Sequence, residues 1–246
     1  MSEKKKIWTV HHKINWDDTN MSGTLNLTGL NVLLQRAAVE HAEYLGFGYH
    51  HMIRQNLSWV LFRINIQISR MPGWQEKVRL VTWPRELANL TAFREFILYS
   101  DKSDEILCRA SSEWLLINLD TRRPQKMDDY RQFEKYTTPE KAIIRDIPKV
   151  NRKQDFTDLF SIVTRYSGLD LNGHANARKY IDWLDDAIYE VHGEKTLVLM
   201  HMTYFHECIY GEELIVQKGG TDPTVFRGWK PAKNEMAFLA KVEIDK

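Results

Sequence analysis

The chain has 246 residues, 43% of them hydrophobic and 27% charged, enough for one large or two small domains with real cores. Its 34 basic and 33 acidic residues leave a formal charge of only +1, which argues against a dedicated nucleic-acid binder and requires any basic patch to be found by position. Two cysteines, Cys108 and Cys208, make neither a disulfide framework nor a metal-finger spacing and suit a reducing compartment.

The first residues carry Lys4, Lys5 and Lys6 and then Ile7 to His11, with no long apolar core. Neither a signal peptide nor a membrane span fits, so the cytoplasm is expected. Next comes an amphipathic helix with Leu30, Leu33, Leu34, Ala37, His41, Tyr44 and Leu45 on one face and Gly46 as its stop. Four β-rich runs follow: Trp59 to Ser69, Lys77 to Trp83, Ala92 to Tyr99 and Ile106 to Leu119. In the first, Val60, Phe62, Ile64, Ile66 and Ile68 alternate with Arg63, Asn65 and Gln67, predicting one apolar face. A charged stretch with Pro124, Pro139 and Pro148 reads as a connection, in which Ile143, Ile144 and Ile147 are expected to dock on a sheet. Its bounds are set at 129–154, between a first unit at 1–128 and a second at 155–246.

The second half repeats the plan. A helical face of Ala177, Tyr180, Ile181, Leu184, Ile188, Val191 and His192 stops at Gly193, and each position lies 147 after its counterpart in the first helix. Strand-like runs again follow, at Thr196 to Cys208, Glu213 to Lys218, Thr224 to Trp229 and Met236 to Ile244. One long helix followed by hairpins most simply packs inside a curved antiparallel sheet, an α+β arrangement, here made twice. No Walker A loop or HExxH spacing occurs, and Gly46-Phe47-Gly48 is no dinucleotide fingerprint, so no cofactor and no metal is expected.

The segment before the second helix, Asp170-Leu171-Asn172-Gly173-His174-Ala175-Asn176, carries the chemistry. In an extended run Asp170, Asn172 and His174 share one face, at the mouth of a helix whose free N–H groups suit an oxyanion. Shifted by 147, these positions fall on Gly23, Leu25 and Leu27, so the polar set is expected on one side only. Likewise Met71 and Pro72 stand where Glu207 and Cys208 stand. His174 reads as a proton carrier or as a helix-entry histidine bonded to a carbonyl. Asp170 reads as an orienting carboxylate or a turn residue, Asn172 as a holder of water or of a carbonyl oxygen or as a turn residue, and Asn176 as an N-cap. On a regular strand Glu207 and Cys208 point opposite ways; Glu207 is favoured inward with Cys208 supporting, water being activated by Glu207 or His174, and a covalent route through Cys208 with His174 as base is the alternative.

The pattern Asp-x-Asn-x-His-x-Asn-x-x-x-Tyr-Ile-x-Trp from Asp170 to Trp183, with Glu207-Cys208, resembles the plant-type acyl-[acyl carrier protein] thioesterases and their bacterial relatives. Trp59-Val60, Arg63, Pro72-x-Trp74, Thr82-Trp83-Pro84 and Asn118-x-x-Thr121-Arg122-Arg123 extend the likeness to the first half. The resemblance implies a double hotdog fold and hydrolysis of a fatty acyl thioester on acyl carrier protein. It implies catalytic roles for Asp170, Asn172, His174, Glu207 and Cys208, an oxyanion site at the helix N-terminus by Asn176, and an acyl pocket in the first unit. Val60, Phe62 and Ile64 are its candidate lining, although core packing explains them as well. Arg122, Arg123 and Lys126 are candidates for meeting the acidic carrier protein, or are an ordinary solvated cluster. Other hotdog activities, on acyl coenzyme A or by hydration and dehydration, and a non-catalytic acyl-binding module are the competing functions. The oligomeric state is open, with a homodimer among the expectations.

Overall fold

The computed structural model describes residues 4–145 and 150–245, and the chain divides into two compact units, 1–145 and 146–246. The division falls inside the 129–154 stretch.

The first unit runs β1 (Trp8–Lys13), α1 (Leu27–Leu45), the short α2 (Tyr49–Met52), β2 (Leu57–Ile68), β3 (Lys77–Leu87), β4 (Thr91–Ser100) and β5 (Ile106–Asn118). Its strands lie in the order β1-β3-β4-β5-β2, every neighbouring pair antiparallel. Helix α1 starts where Asn26 Oδ1 accepts the Gly29 N–H at 2.6 Å. It stops at Gly46, whose φ of 86° only a residue without Cβ adopts freely. Leu27, Leu30, Leu33, Leu34, Ala37, Ala38 and His41 are buried, the helical periodicity expected of a face laid on a sheet. Burying a large apolar side chain contributes about 1.5–3 kcal/mol, so this stripe holds the helix to the unit. Tyr44, on the same predicted face, lies at its exposed rim against Trp8.

Strand β2 departs from simple alternation. Its register with β5 slips between Leu61 and Arg63, so Phe62 is an extra residue. The expected face of Val60, Phe62, Ile64, Ile66 and Ile68 is therefore broken: Ile64, Ile66 and Ile68 are buried together with Leu61, while Val60 and Phe62 are only half-buried.

Residues 127–136 form a 3-10 helix whose Met127 and Tyr130 pack with Leu45, Phe47, Met52, Leu57 and Leu116. Beyond it, Trp83 Nε1 donates to Glu140 O at 2.9 Å, and the Ala142 N–H donates to Glu95 Oε2 at 3.0 Å. This part of the predicted connection thus lies on the first unit. Of the isoleucines expected to dock, Ile143 is buried, Ile144 is 87% exposed, and Ile147 lies outside the described residues.

The second unit runs β6 (Phe156–Val163), α3 (Ala177–His192), β7 (Leu197–Tyr204), β8 (Glu213–Gly219), β9 (Val225–Lys230) and β10 (Glu235–Ile244), in sheet order β6-β8-β9-β10-β7. This is the order of the first unit strand for strand. Tyr180, Ile181, Trp183, Leu184, Ala187 and Ile188 form the buried face of α3. Each unit is therefore one long helix on a five-stranded antiparallel sheet, the hotdog arrangement that the resemblance implied.

Candidate active site

The polar segment before α3 is a turn and not an extended strand. Asp170 N–H donates to His174 O at 2.7 Å, Gly173 N–H donates to Asp170 O at 3.1 Å, and Gly173 has φ 77°. Leu169 and Ala175 pair on either side. Strand alternation therefore does not align Asp170, Asn172 and His174. Asp170 acts through the backbone: its Oδ1 accepts the N–H groups of Asn172 at 2.8 Å and His174 at 3.2 Å. Asn172 is exposed at the tip, beside Leu171.

The same turn exists in the first unit, and it corrects the offset read from the helices. Asn20 N–H donates to Thr24 O at 2.8 Å, Gly23 N–H to Asn20 O at 3.0 Å, and Asn20 Oδ1 accepts from the N–H groups of Ser22 and Thr24, each at 3.1 Å. Asp170, Asn172 and His174 thus correspond to Asn20, Ser22 and Thr24, 150 positions earlier, and not to Gly23, Leu25 and Leu27. The 147 offset is valid only at the far ends of the helices, because α1 has 19 residues and α3 has 16. The turn-fastening oxygen is common to both units; the imidazole is not.

Opposite the turn lies the segment after β7. Tyr204 ends that strand, so Glu207 and Cys208, expected on a regular strand, stand in irregular backbone. Ala175 N–H donates to Cys208 O at 2.8 Å, as Leu25 N–H donates to Pro72 O in the first unit at the same length. The pairing of Met71 and Pro72 with Glu207 and Cys208 therefore holds. Two consecutive residues of an irregular segment still part company: Glu207 faces His174, and Cys208 faces the core.

His174 Nε2 is 3.3 Å from Glu207 Oε2, with side chains 20% and 38% exposed. A carboxylate only accepts, so a hydrogen bond across this gap requires the proton on Nε2. His174 Nδ1 is buried without a hydrogen-bond partner. Cys208 is fully buried; burial pushes its thiol pKa up, against a smaller opposing pull from the Tyr180 hydroxyl. A thiol so placed is a poor nucleophile. Asn176 caps α3, its Oδ1 accepting the Arg178 N–H at 3.0 Å.

Two neighbours, Tyr180 and Lys230, and one half-buried carboxylate elsewhere on α3, Asp185, were not singled out by sequence reasoning. Tyr180 Oη accepts the Cys208 N–H at 2.9 Å, and Lys230, 2% exposed, donates from Nζ to Glu207 O at 2.9 Å. Lys230 also pairs with Glu212 at 3.1 Å and Glu235 at 3.3 Å. Burial, helped by Asp186 and Asp182, raises the Asp185 carboxyl to about 6. Tyr180 lies inside the recognised motif and was available there as a signal; Lys230 and Asp185 sit among ordinary strand and helix residues.

In the first unit, Arg122 is half-buried in a turn fastened by Asn118, while Arg123 and Lys126 are exposed. Among the described residues no group of three or more His, Cys, Asp or Glu side chains is placed to hold a metal ion.

Residues 5–133 match the acyl-ACP thioesterase N-terminal domain, and residues 151–245 match the acyl-ACP thioesterase C-terminal domain. The chain is 27% identical over 209 residues to oleoyl-acyl carrier protein thioesterase 2, chloroplastic, of Arabidopsis thaliana, covering 78% of this chain and 57% of that one. It spans about half the length of the curated relatives it matches. Among solved structures, an acyl-ACP thioesterase from Bacteroides thetaiotaomicron has a TM-score of 0.87 at 27% identity, covering 100% of both chains. The 12:0-ACP thioesterase from Umbellularia californica shares the fold, with a TM-score of 0.82 at 22% identity, over 100% of this chain and 99% of that one.

Proposed function

The chain belongs to the acyl-ACP thioesterase family, and from that premise we propose that it hydrolyses fatty acyl thioesters of acyl carrier protein, ending chain elongation with free fatty acid. The observation that carries this reading is the His174–Glu207 contact beside the entry to α3, in the one unit that has both groups.

Glu207, the more open of the two side chains, is the base that takes a proton from water as its oxygen attacks the thioester carbonyl. His174 holds that carboxylate through Nε2. The carbonyl becomes an oxyanion, stabilised by N–H groups at the α3 N-terminus near Asn176. Collapse breaks the C–S bond, and the proton held by the pair goes to the leaving sulfur. Asp170 fixes the turn that presents His174, and Asn172 at its tip holds water or the thioester oxygen. Cys208 has a supporting role, consistent with its burial.

Val60, Phe62 and Ile64 of β2 are assigned to the acyl chain, and Arg122, Arg123 and Lys126 to the acidic carrier protein. Two free, buried cysteines favour a reducing compartment, the cytoplasm, and no helix among the described residues is long and apolar enough to cross a membrane.

The test is a panel of acyl carrier protein and acyl coenzyme A substrates of varied chain length, with wild type, His174→Ala and Glu207→Ala. Release of thiol and free acid by wild type, with a loss of about 10²-fold or more in each variant, is expected. A change in enoyl absorbance without free thiol would mean hydration, and no product from any substrate would refute the assignment. Undiminished turnover in both variants would refute the site.

A further inference from the structure

Glu207 stands in irregular backbone, so no strand ladder holds it, yet its carboxylate must stay within reach of His174. The peptide group that joins Glu207 to Cys208 is held at both polar ends. Its carbonyl accepts from Lys230 Nζ at 2.9 Å, and its N–H donates to Tyr180 Oη at 2.9 Å. A peptide group is planar, so two bonds on opposite sides fix its orientation and restrict the backbone from which the Glu207 side chain leaves. The following groups are held too: Ala175 N–H donates to Cys208 O, and Ile209 N–H donates to Glu212 Oε2 at 3.1 Å.

Both anchors are themselves fixed. Tyr180, 4% exposed, packs its ring on Trp183 at 5.1 Å and edge-on to Tyr204 at 5.5 Å. Lys230 is locked between Glu212 and Glu235.

The first unit supplies the control. By the turn offset, Tyr180 corresponds to Leu30, which cannot accept a hydrogen bond. Cys208 corresponds to Pro72, which has no N–H. The registers Ile215↔Trp229 and Arg79↔Tyr99 place Ser100 at the position of Lys230, and Ser100 hydrogen-bonds to Glu76 as Lys230 bonds to Glu212. The surrounding backbone is conserved between the units, while all three parts of the clamp are missing where the His–Glu pair is missing.

We propose that Tyr180 and Lys230 are positioning residues that act through the Glu207–Cys208 peptide to hold the Glu207 carboxylate against His174. The inference rests on the assignment of Glu207 as base.

The experiment measures kcat and KM of the full chain on its best acyl carrier protein substrate for Tyr180→Phe, Lys230→Arg, Lys230→Met, Glu207→Gln and Tyr180→Phe combined with Glu207→Gln, with folding checked by circular dichroism. Tyr180→Phe is expected to lower kcat by about ten- to a hundredfold with KM within about twofold. In the Glu207→Gln background the same change is expected to cost less than about twofold, because a residue acting through Glu207 has nothing left to position. Lys230→Arg, which keeps a donor, retains more turnover than Lys230→Met; if Lys230→Met does not fold, Tyr180→Phe decides alone. Full turnover in Tyr180→Phe while Glu207→Gln is impaired, or an equal loss in both backgrounds, overturns the clamp and leaves the site standing. Full turnover in Glu207→Gln overturns both.

Discussion

Replacing Asp170 by asparagine separates a structural carboxylate from a chemical one. Asp170 Oδ1 fastens two N–H groups, at 2.8 and 3.2 Å, and Asn20 does the same work in the first unit with a neutral amide oxygen. Hydrogen bonds to a charged group contribute about 1.5–3 kcal/mol and neutral ones about 0.5–1.5. The turn is partly exposed, so Asp170→Asn is expected to cost about 1 kcal/mol, a fall of about 2–4 °C in Tm for a chain of this size. Because the backbone of His174 stays fastened, kcat should remain within about threefold of wild type. Asp170→Ala removes both hydrogen bonds, costs about 2 kcal/mol, and frees the His174 backbone, so kcat should fall by about tenfold or more. Steady-state release of thiol from acyl carrier protein, with thermal melts of both variants, checks the pair. If Asp170→Asn proves as inactive as Asp170→Ala while melting like wild type, the carboxylate charge itself takes part in the chemistry and the turn-fastening account is wrong.

Cys208→Ala should keep kcat within about fivefold of wild type, because a buried thiol whose pKa is raised by burial is not the nucleophile. A trapped acyl-enzyme that disappears in this variant would overturn that expectation. Asp185 gives a pH dependence. Its folded carboxyl titrates at about 6 against an ordinary 3.8, so the folded state holds the proton more tightly than the unfolded one. Its contribution to stability therefore falls as pH rises from about 4 to about 6, and the penalty is constant above that. Asp185→Asn should raise stability by an amount that grows across this window and then levels off. Two pKa units correspond to about 3 kcal/mol, and the partial exposure of Asp185 reduces the expectation to about 1 kcal/mol. Urea unfolding at pH 4 and pH 8 measures it; a gain independent of pH would count against the account.

The sequence by itself determined the elements. Helix and strand periodicities arise from the local backbone, so the faces of α1 and α3, their stops at Gly46 and Gly193, and most strands follow from neighbouring residues alone. The correspondence of Met71 and Pro72 with Glu207 and Cys208 was legible because both pairs precede the same strand start. The helix offset was not. Three residues are nearly one helical turn, so an apolar stripe fits a shift of 147 or 150 almost equally well, and only the hydrogen bonds of the two turns distinguish them. The turn at Asp170, the bulge at Phe62 and the early end of β7 likewise escaped alternation, since each breaks the period on which the reading depends. The tertiary structure alone decided which groups meet. His174, Tyr180, Glu207 and Lys230 come from a turn, a helix, an irregular segment and a strand end. Their contacts are set by sheet register and helix packing, which bring together residues that no local pattern links.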